Sequence, residues 1–153
     1  MSIEQATIDD VGEILALQKL AYVSEAEIYD DFTIQPLHQT LEEIEAEFAD
    51  QCFLKFCADG RIAGSVRAYA SKGTCFIGKL VVHPECRNQG IGTRLLEEIE
   101  NAFDQVERYE LFTGHRSEKN LHLYRKHGYK IFKRQRLTED LTLVYMEKYR
   151  NNT

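Results

Sequence analysis

Proline is scarce in this chain, and long apolar runs are missing from it. Only two prolines stand among 153 residues, which sets the composition apart from disordered and fibrous proteins. No run of about 18 apolar residues occurs. The opening "MSIEQATIDD" has neither a basic flank nor an apolar signal core, so nothing predicts membrane insertion or export. A cytoplasmic protein is expected. The four cysteines, Cys52, Cys57, Cys75 and Cys86, form no CxxC pair. Three of them lie in or near strand-like runs, which predicts reduced structural thiols, and no His/Cys/Asp spacing predicts a metal site.

Basic residues are also missing where they would be needed for binding nucleic acid. The net charge is −6, whereas neutralising phosphates takes a basic face. No Lys or Arg occurs between Lys19 and Lys55, an interval holding Glu25, Glu27, Asp30, Asp31, Glu42, Glu43, Glu45, Glu47 and Asp50. From Thr113 to Arg150 the balance reverses, with ten Lys and Arg against four acids. One reading makes Glu42 to Glu47 the solvated face of a surface helix. The other gives the protein an acidic side for a cationic acceptor and a basic side for an anionic cofactor.

What is present is enough for one domain over residues 1–153, with 43% hydrophobic residues. "IEQATI" reads as a strand, and Asp9 or Asp10 is placed to cap a helix carrying Val11, Ile14, Leu15, Leu17 and Leu20. "TLEEIEAEFAD" reads as a second helix, with Thr40 and Glu43 as a capping box and Leu41, Ile44 and Phe48 on one face. "CFLKFCA", "RIAGSVRAYA" and "CFIGKLVVH", joined at Asp59-Gly60 and Lys72-Gly73, predict an antiparallel meander. "GIGTRLLEEIENAF" predicts a helix burying Ile91, Leu95, Leu96, Ile99 and Phe103. The strand "YELFTG", a short helix ending at Gly128, and the hairpin "YKIFKRQR" and "LTLVYMEK" complete the chain. The order β-α-α-β-β-β-α-β-α-β-β predicts an α/β domain of the layered α+β kind, a mixed sheet with helices packed on it.

Within "LVVHPECRNQGIGTRLLEEIE" a strand runs through a polar loop with two glycines into a helix. The glycines let a ligand approach the backbone, and the helix N-terminus offers unpaired N–H groups and a positive dipole end, the elements of an anion site. Leu95 stands where a dinucleotide fingerprint needs its third glycine, and no Gly-Lys-Ser/Thr follows Gly90, so neither common nucleotide loop is present.

Arg87-Asn88-Gln89-Gly90-Ile91-Gly92 resembles the Arg/Gln-x-x-Gly-x-Gly/Ala loop of the GNAT superfamily of N-acetyltransferases. Downstream, "SEKNLHLYRKHGYKIF" is similar to that family's second segment, and the order of elements agrees over nearly the whole chain. The resemblance implies a twisted, mostly antiparallel mixed sheet of about six or seven strands flanked by about four helices. It also implies that the sheet splays near its fourth strand to admit acetyl-CoA. Pantetheine would then pair with the backbone of Leu80, Val81 and Val82. The pyrophosphate would rest on the N–H groups of Asn88, Gln89, Gly90, Ile91, Gly92 and Thr93, with Arg87 beside them. Many members carry an Asn seven residues before the Tyr; here that position is Ser117, while Asn120 lies one turn before Tyr124, so both stand as candidates for the cofactor contact.

The same resemblance makes Tyr124 the general acid for the departing CoA thiolate, with a backbone N–H near Val82 stabilising the oxyanion. For the base, Glu25, Glu27, Glu85, His83, His115 and His122 remain alternatives. The implied activity is direct transfer from acetyl-CoA to a primary amine of a small molecule or peptide. A non-catalytic acyl-CoA sensor and an interaction domain whose glycine loop is only a turn are the rivals. These features leave a homodimer open.

Overall fold

The computed structural model describes residues 2–150. Seven strands, β1 (Ser2–Gln5), β2 (Cys52–Ala58), β3 (Arg61–Ser71), β4 (Thr74–Val82), β5 (Arg108–Gly114), β6 (Lys130–Arg136) and β7 (Thr142–Tyr149), form one sheet. Their order is β1-β2-β3-β4-β5-β7-β6. The helices are α1 (Val11–Tyr29), the short α2 (Gln35–His38), α3 (Leu41–Asp50), α4 (Ile91–Ala102) and α5 (Glu118–Lys126). No helix among the described residues is long and apolar enough to cross a membrane.

Local chemistry accounts for most boundaries. Asp59-Gly60 and Lys72-Gly73 each place two consecutive residues at positive φ (54° and 79°, 51° and 81°), the geometry of tight hairpin turns, and so close the β2-β3-β4 meander. The Thr40–Glu43 capping box is formed in both directions, at 3.1 Å and 2.9 Å. Gly128, at φ 93°, follows α5 in the left-handed conformation that ends a helix.

Other boundaries depart from expectation. Asp10 does not cap α1: its carboxylate turns back to accept from the Thr7 N–H at 2.8 Å and from Lys55 Nζ at 2.8 Å, closing a short 3-10 turn over Ile8–Asp10. α1 also runs on to Tyr29. Leu20, nine residues past Val11, lies about half a turn round the helix from it and stands 46% exposed. Leu41 is 47% exposed at the first position of α3, so that helix is anchored by fully buried Ile44 and by Phe48 against Phe53. Phe103, just past α4, is only partly buried.

The helices cover both faces of the sheet. On one face α4 sets Ile91, Leu95, Leu96 and Ile99 against Val66, Ala68, Cys75 and Ile77. On the other, α1 and α3 pack Val11, Ile14, Leu17 and Ile44 against Phe53, Ile62 and Val81. All four cysteines are free thiols.

Among the described residues β4 and β5 are the only parallel neighbours, and they pair at just three positions, Thr74↔Arg108, Cys75↔Tyr109 and Phe76↔Glu110. Beyond Phe76 and Glu110 they diverge. The register of β4 on β3 also slips: Ser65 faces Val81 and Arg67 faces Gly78, so Lys79 and Leu80 together oppose Val66. Lys79 sits at φ 52°, a left-handed residue in the middle of a strand, and such a bulge bends the strand that carries it.

Because Leu95 is fully buried between α4 and the sheet, Leu95→Ala is expected to lower unfolding stability by about 2–5 kcal/mol, measured by denaturant titration.

Candidate active site

The divergence of β4 and β5 opens the sheet, and two cavities of about 700 Å³ and 640 Å³ meet there. Tyr22, Glu25, Leu80 and Asn120 line both. The larger lies between the splayed strands and under α1 and α3, reaching Arg67, Lys79, Leu111, Thr113 and Tyr124. The smaller follows the outer edge of β4 to the glycine loop and the start of α4 and α5.

Backbone chemistry dominates the smaller cavity. Leu80, Val81 and Val82 bring to its wall a strand edge that β5 no longer pairs. The first hydrogen bond of α4 runs from Arg94 N–H to the Gly90 carbonyl at 3.1 Å, so the amides of Ile91, Gly92 and Thr93 have no backbone acceptor within the helix. Asn88 at φ 65° and Gly90 at φ 79° turn the loop into that helix, and alternating backbone handedness of this kind gathers N–H groups into an anion-binding concavity. A Cβ on Gly92 would meet nothing nearer than Leu123 Cδ2 at 3.6 Å. Leu123 and Val82, the two side chains that Cβ would touch, both line the cavity, so a side chain at position 92 would take up room along its wall.

The remaining loop residues do different work. Arg87 donates Nη1 to Ser24 Oγ at 2.8 Å and Nη2 to the Ala21 carbonyl at 3.1 Å, tying the loop to α1. Gln89 is exposed and does not line the cavity, whereas Asn88, Gly90, Ile91, Gly92 and Thr93 do. Ser117 and Asn120 also divide. The Ser117 hydroxyl is committed to Glu25 and Tyr29, while Asn120 donates Nδ2 to Thr113 Oγ1 at 3.2 Å from the wall shared by both cavities.

A hydrogen-bond chain orders the junction. The Arg116 N–H donates to Tyr29 Oη at 2.9 Å, Tyr29 donates to Ser117 Oγ at 2.9 Å, and Ser117 donates to Glu25 Oε1 at 2.5 Å. It fastens the C-terminal half of α1 to the start of α5 across the open sheet. Gly114 makes room for it, since a Cβ there would overlap the Tyr29 hydroxyl. Of the residues proposed as bases from sequence, only Glu25 lines either cavity. The His83 ring accepts from the Glu85 N–H, the His115 ring from the Thr142 N–H, and His122 is exposed.

Tyr124 is buried in the larger cavity's wall, its ring against Tyr129. Its hydroxyl has no hydrogen-bond partner among the described residues. Burial, then Tyr22 and the Glu25 charge, raise its pKa well above the ordinary phenol value, and Tyr22 is pushed up to about 12 by burial and Glu25. Both phenols stay protonated through neutral pH.

Tyr22 and Tyr29 escaped the sequence reading. With α1 extended to Tyr29, Tyr22, Glu25 and Tyr29 recur at i, i+3 and i+7 on one helical face, which is the signal that a longer helix would have supplied. Arg67 gave no such signal, because an Arg in a strand ordinarily reads as solvated. It is 3% exposed, bonded through Nη2 to Gln18 and Gln39 and through Nε to Glu47 at 2.9 Å. Glu42, Glu43 and Glu45 are exposed on α3, leaving Glu25 and Glu47 as the only cavity-lining carboxylates from the acidic interval.

Comparison with known proteins places this geometry. The model of the Acetyltransferase (GNAT) family matches residues 14–129. UPF0157 protein YqkA of Bacillus subtilis (strain 168) is 27% identical over 146 residues, 95% of this chain and 41% of that protein, so the chain spans less than half the length of this curated relative. A crystal structure of an acetyltransferase of the GNAT family from Streptococcus pneumoniae is 26% identical, with a TM-score of 0.75 over 97% of this chain and 98% of that one. The PaiA N-acetyltransferase from Thermoplasma acidophilum, solved in complex with coenzyme A, shares the fold at 19% identity, with a TM-score of 0.78 over 97% of this chain and 99% of that one.

The two loop glycines are expected to behave differently. A Cβ at position 92 makes only ordinary contacts in the protein and needs no positive φ, so Gly92→Val should weaken coenzyme A binding by more than about tenfold, or about 1.4 kcal/mol, with less effect on the melting temperature than a change at Gly90. Gly90→Val, forced to φ 79°, should lower the melting temperature as well. Calorimetric titration and thermal melts separate the two, and unchanged affinity in Gly92→Val would exclude the cradle.

Proposed function

The chain belongs to the GNAT acetyltransferase family, and from that premise we propose that it transfers the acetyl group of acetyl-CoA to a primary amine by direct attack. The observation that carries this reading is the meeting of two cavities at Tyr22, Glu25, Leu80 and Asn120, where the sheet opens. One cavity is walled by strand edge and helix N-terminus, suited to an amide-rich arm and a diphosphate. The other holds ionisable side chains, suited to an acceptor.

The residues present fit acetyl-CoA. Leu80 to Val82 would hold the pantetheine arm by backbone pairing, and residues 88–93 the pyrophosphate by their N–H groups and the helix dipole. Asn120, at the shared wall, is better placed than Ser117 to reach the thioester end, because Ser117 is occupied by Glu25 and Tyr29. Acetyl-CoA supplies an activated acyl group with a thiolate leaving group.

The protein's own groups then move the protons. Glu25 attracts the acceptor as its ammonium and removes the proton that frees the lone pair, held in position by Ser117 and Tyr29. Tyr124, protonated and without an internal acceptor, gives its proton to sulfur as the N–C bond forms and the C–S bond breaks. It regains a proton as the nitrogen sheds its second. An N–H near Val82, on the strand edge freed from β5, would stabilise charge building on the acyl oxygen.

Incubating the protein with acetyl-CoA and a panel of primary amines, and measuring CoA release, tests the reading. Tyr124→Phe is expected to lower kcat by about 10² to 10⁴ with CoA affinity kept, because the ring still packs against Tyr129. Glu25→Gln should lose most of the rate, read as kcat with the same amine, with CoA affinity kept. CoA binding without turnover of any amine would favour the sensor alternative. A Phe variant within about threefold of the parent in kcat would remove Tyr124 from the mechanism.

A further inference from the structure

The acceptor cavity contains a charge that acetyl transfer does not use. Its ionic lining consists of Glu25, Glu47, Glu110, Arg67 and Lys79. Glu110 is paired with Arg108 at 2.8 Å, and Glu47 with Arg67 at 2.9 Å and with Gln39. Pairing off these groups leaves one carboxylate, Glu25, and one ammonium, Lys79.

Lys79 is a half-buried lysine whose ammonium makes no hydrogen bond or ion pair with any described residue. The β4 bulge sets it at φ 52° on a strand that bends away from β5. It lines the same cavity as Arg67 and Glu47, and both of those charges act on it. With Glu47 already held by Arg67, two cations face a single carboxylate there. Burial, first, and Arg67, second, lower the Lys79 pKa, which marks an ammonium that its surroundings do not stabilise. A left-handed, non-glycine residue in mid-strand is uncommon and carries a conformational cost. That cost and the cost of an unpaired, partly desolvated charge converge on one side chain in the cavity wall, and an anion brought by the ligand would relieve the electrostatic one.

Resting on the acetyl-transfer reading above, we infer that the acceptor is an amine that also bears a carboxylate, with its ammonium against Glu25 and its carboxylate against Lys79. Arg67 acts as a buried background charge, since Gln18, Gln39 and Glu47 already use its guanidinium. Lys79 lies outside the glycine-loop cavity, so its unused charge is not explained by the phosphates of CoA. The acceptor is therefore zwitterionic rather than a polyamine, and the acidic outer face of α3 does not select it.

Matched probes decide this. α-Amino acids and their carboxamides present the same amine with and without the acid, and CoA release from acetyl-CoA is followed for each pair. For the preferred side chain, the acid is expected to exceed its amide by about tenfold or more in kcat/KM, the scale of one charge-assisted contact. Lys79→Met, unbranched and no more strained at φ 52° than lysine, should bring that ratio to about one, whereas Lys79→Arg should retain part of it. The parent comparison stands whether or not a variant folds. Turnover confined to amines without an acid, or amides equal to acids in every pair, overturns the inference and leaves acetyl transfer intact. If no amine of any charge releases CoA, the acetyl-transfer reading falls and the inference with it.

Discussion

The loss of pairing between β4 and β5 beyond Phe76 and Glu110 governs the rest of the structure. Backbone N–H and C=O groups need partners, so a sheet that opens at its centre must be held open and its bare edges must face solvent or ligand. The β4 bulge at Lys79 bends one lip away. β7 secures the other by pairing with all of β5, from Arg108↔Tyr149 to Gly114↔Leu143. The two cavities are the consequence.

A split sheet also needs bracing. Contacts from α1 to the loop and to α5 supply it: Arg87 holds Ser24 and Ala21, and Tyr29 joins Arg116 and Ser117. The same hydrogen bonds that close the structure over the cleft orient Glu25 at the point where the cavities meet. Bracing and chemistry share residues, so the Tyr29 contact that Gly114 makes possible belongs to both.

Electrostatics follows the same economy. The buried Arg67 network satisfies every donor it engages with Gln18, Gln39 and Glu47, as burial of a charge demands. Lys79, next along β4 from the Gly78 that faces Arg67, has no comparable partner. Two cations on the wall of one cavity thus end in different states, one closed within the protein and one left for a ligand.

Neighbours a few residues apart along the chain account for one part of this outcome. The Thr40–Glu43 capping box, the two tight turns of the meander, the apolar face of α4 and the glycine loop before it are each set by local backbone preference and side-chain spacing. Long-range packing settled which of six candidate bases faces a cavity, bound Ser117 to Glu25 across 92 positions of chain, and buried Arg67. It also put one inserted residue into β4, which sets Lys79 in the cavity wall. Those outcomes rest on contacts between segments distant in sequence and on a one-residue slip of strand register, and a slip of one residue exchanges the two faces of a strand. No short-range pattern encodes that choice, because it is made by the packing of α1 and α3 on the opened sheet.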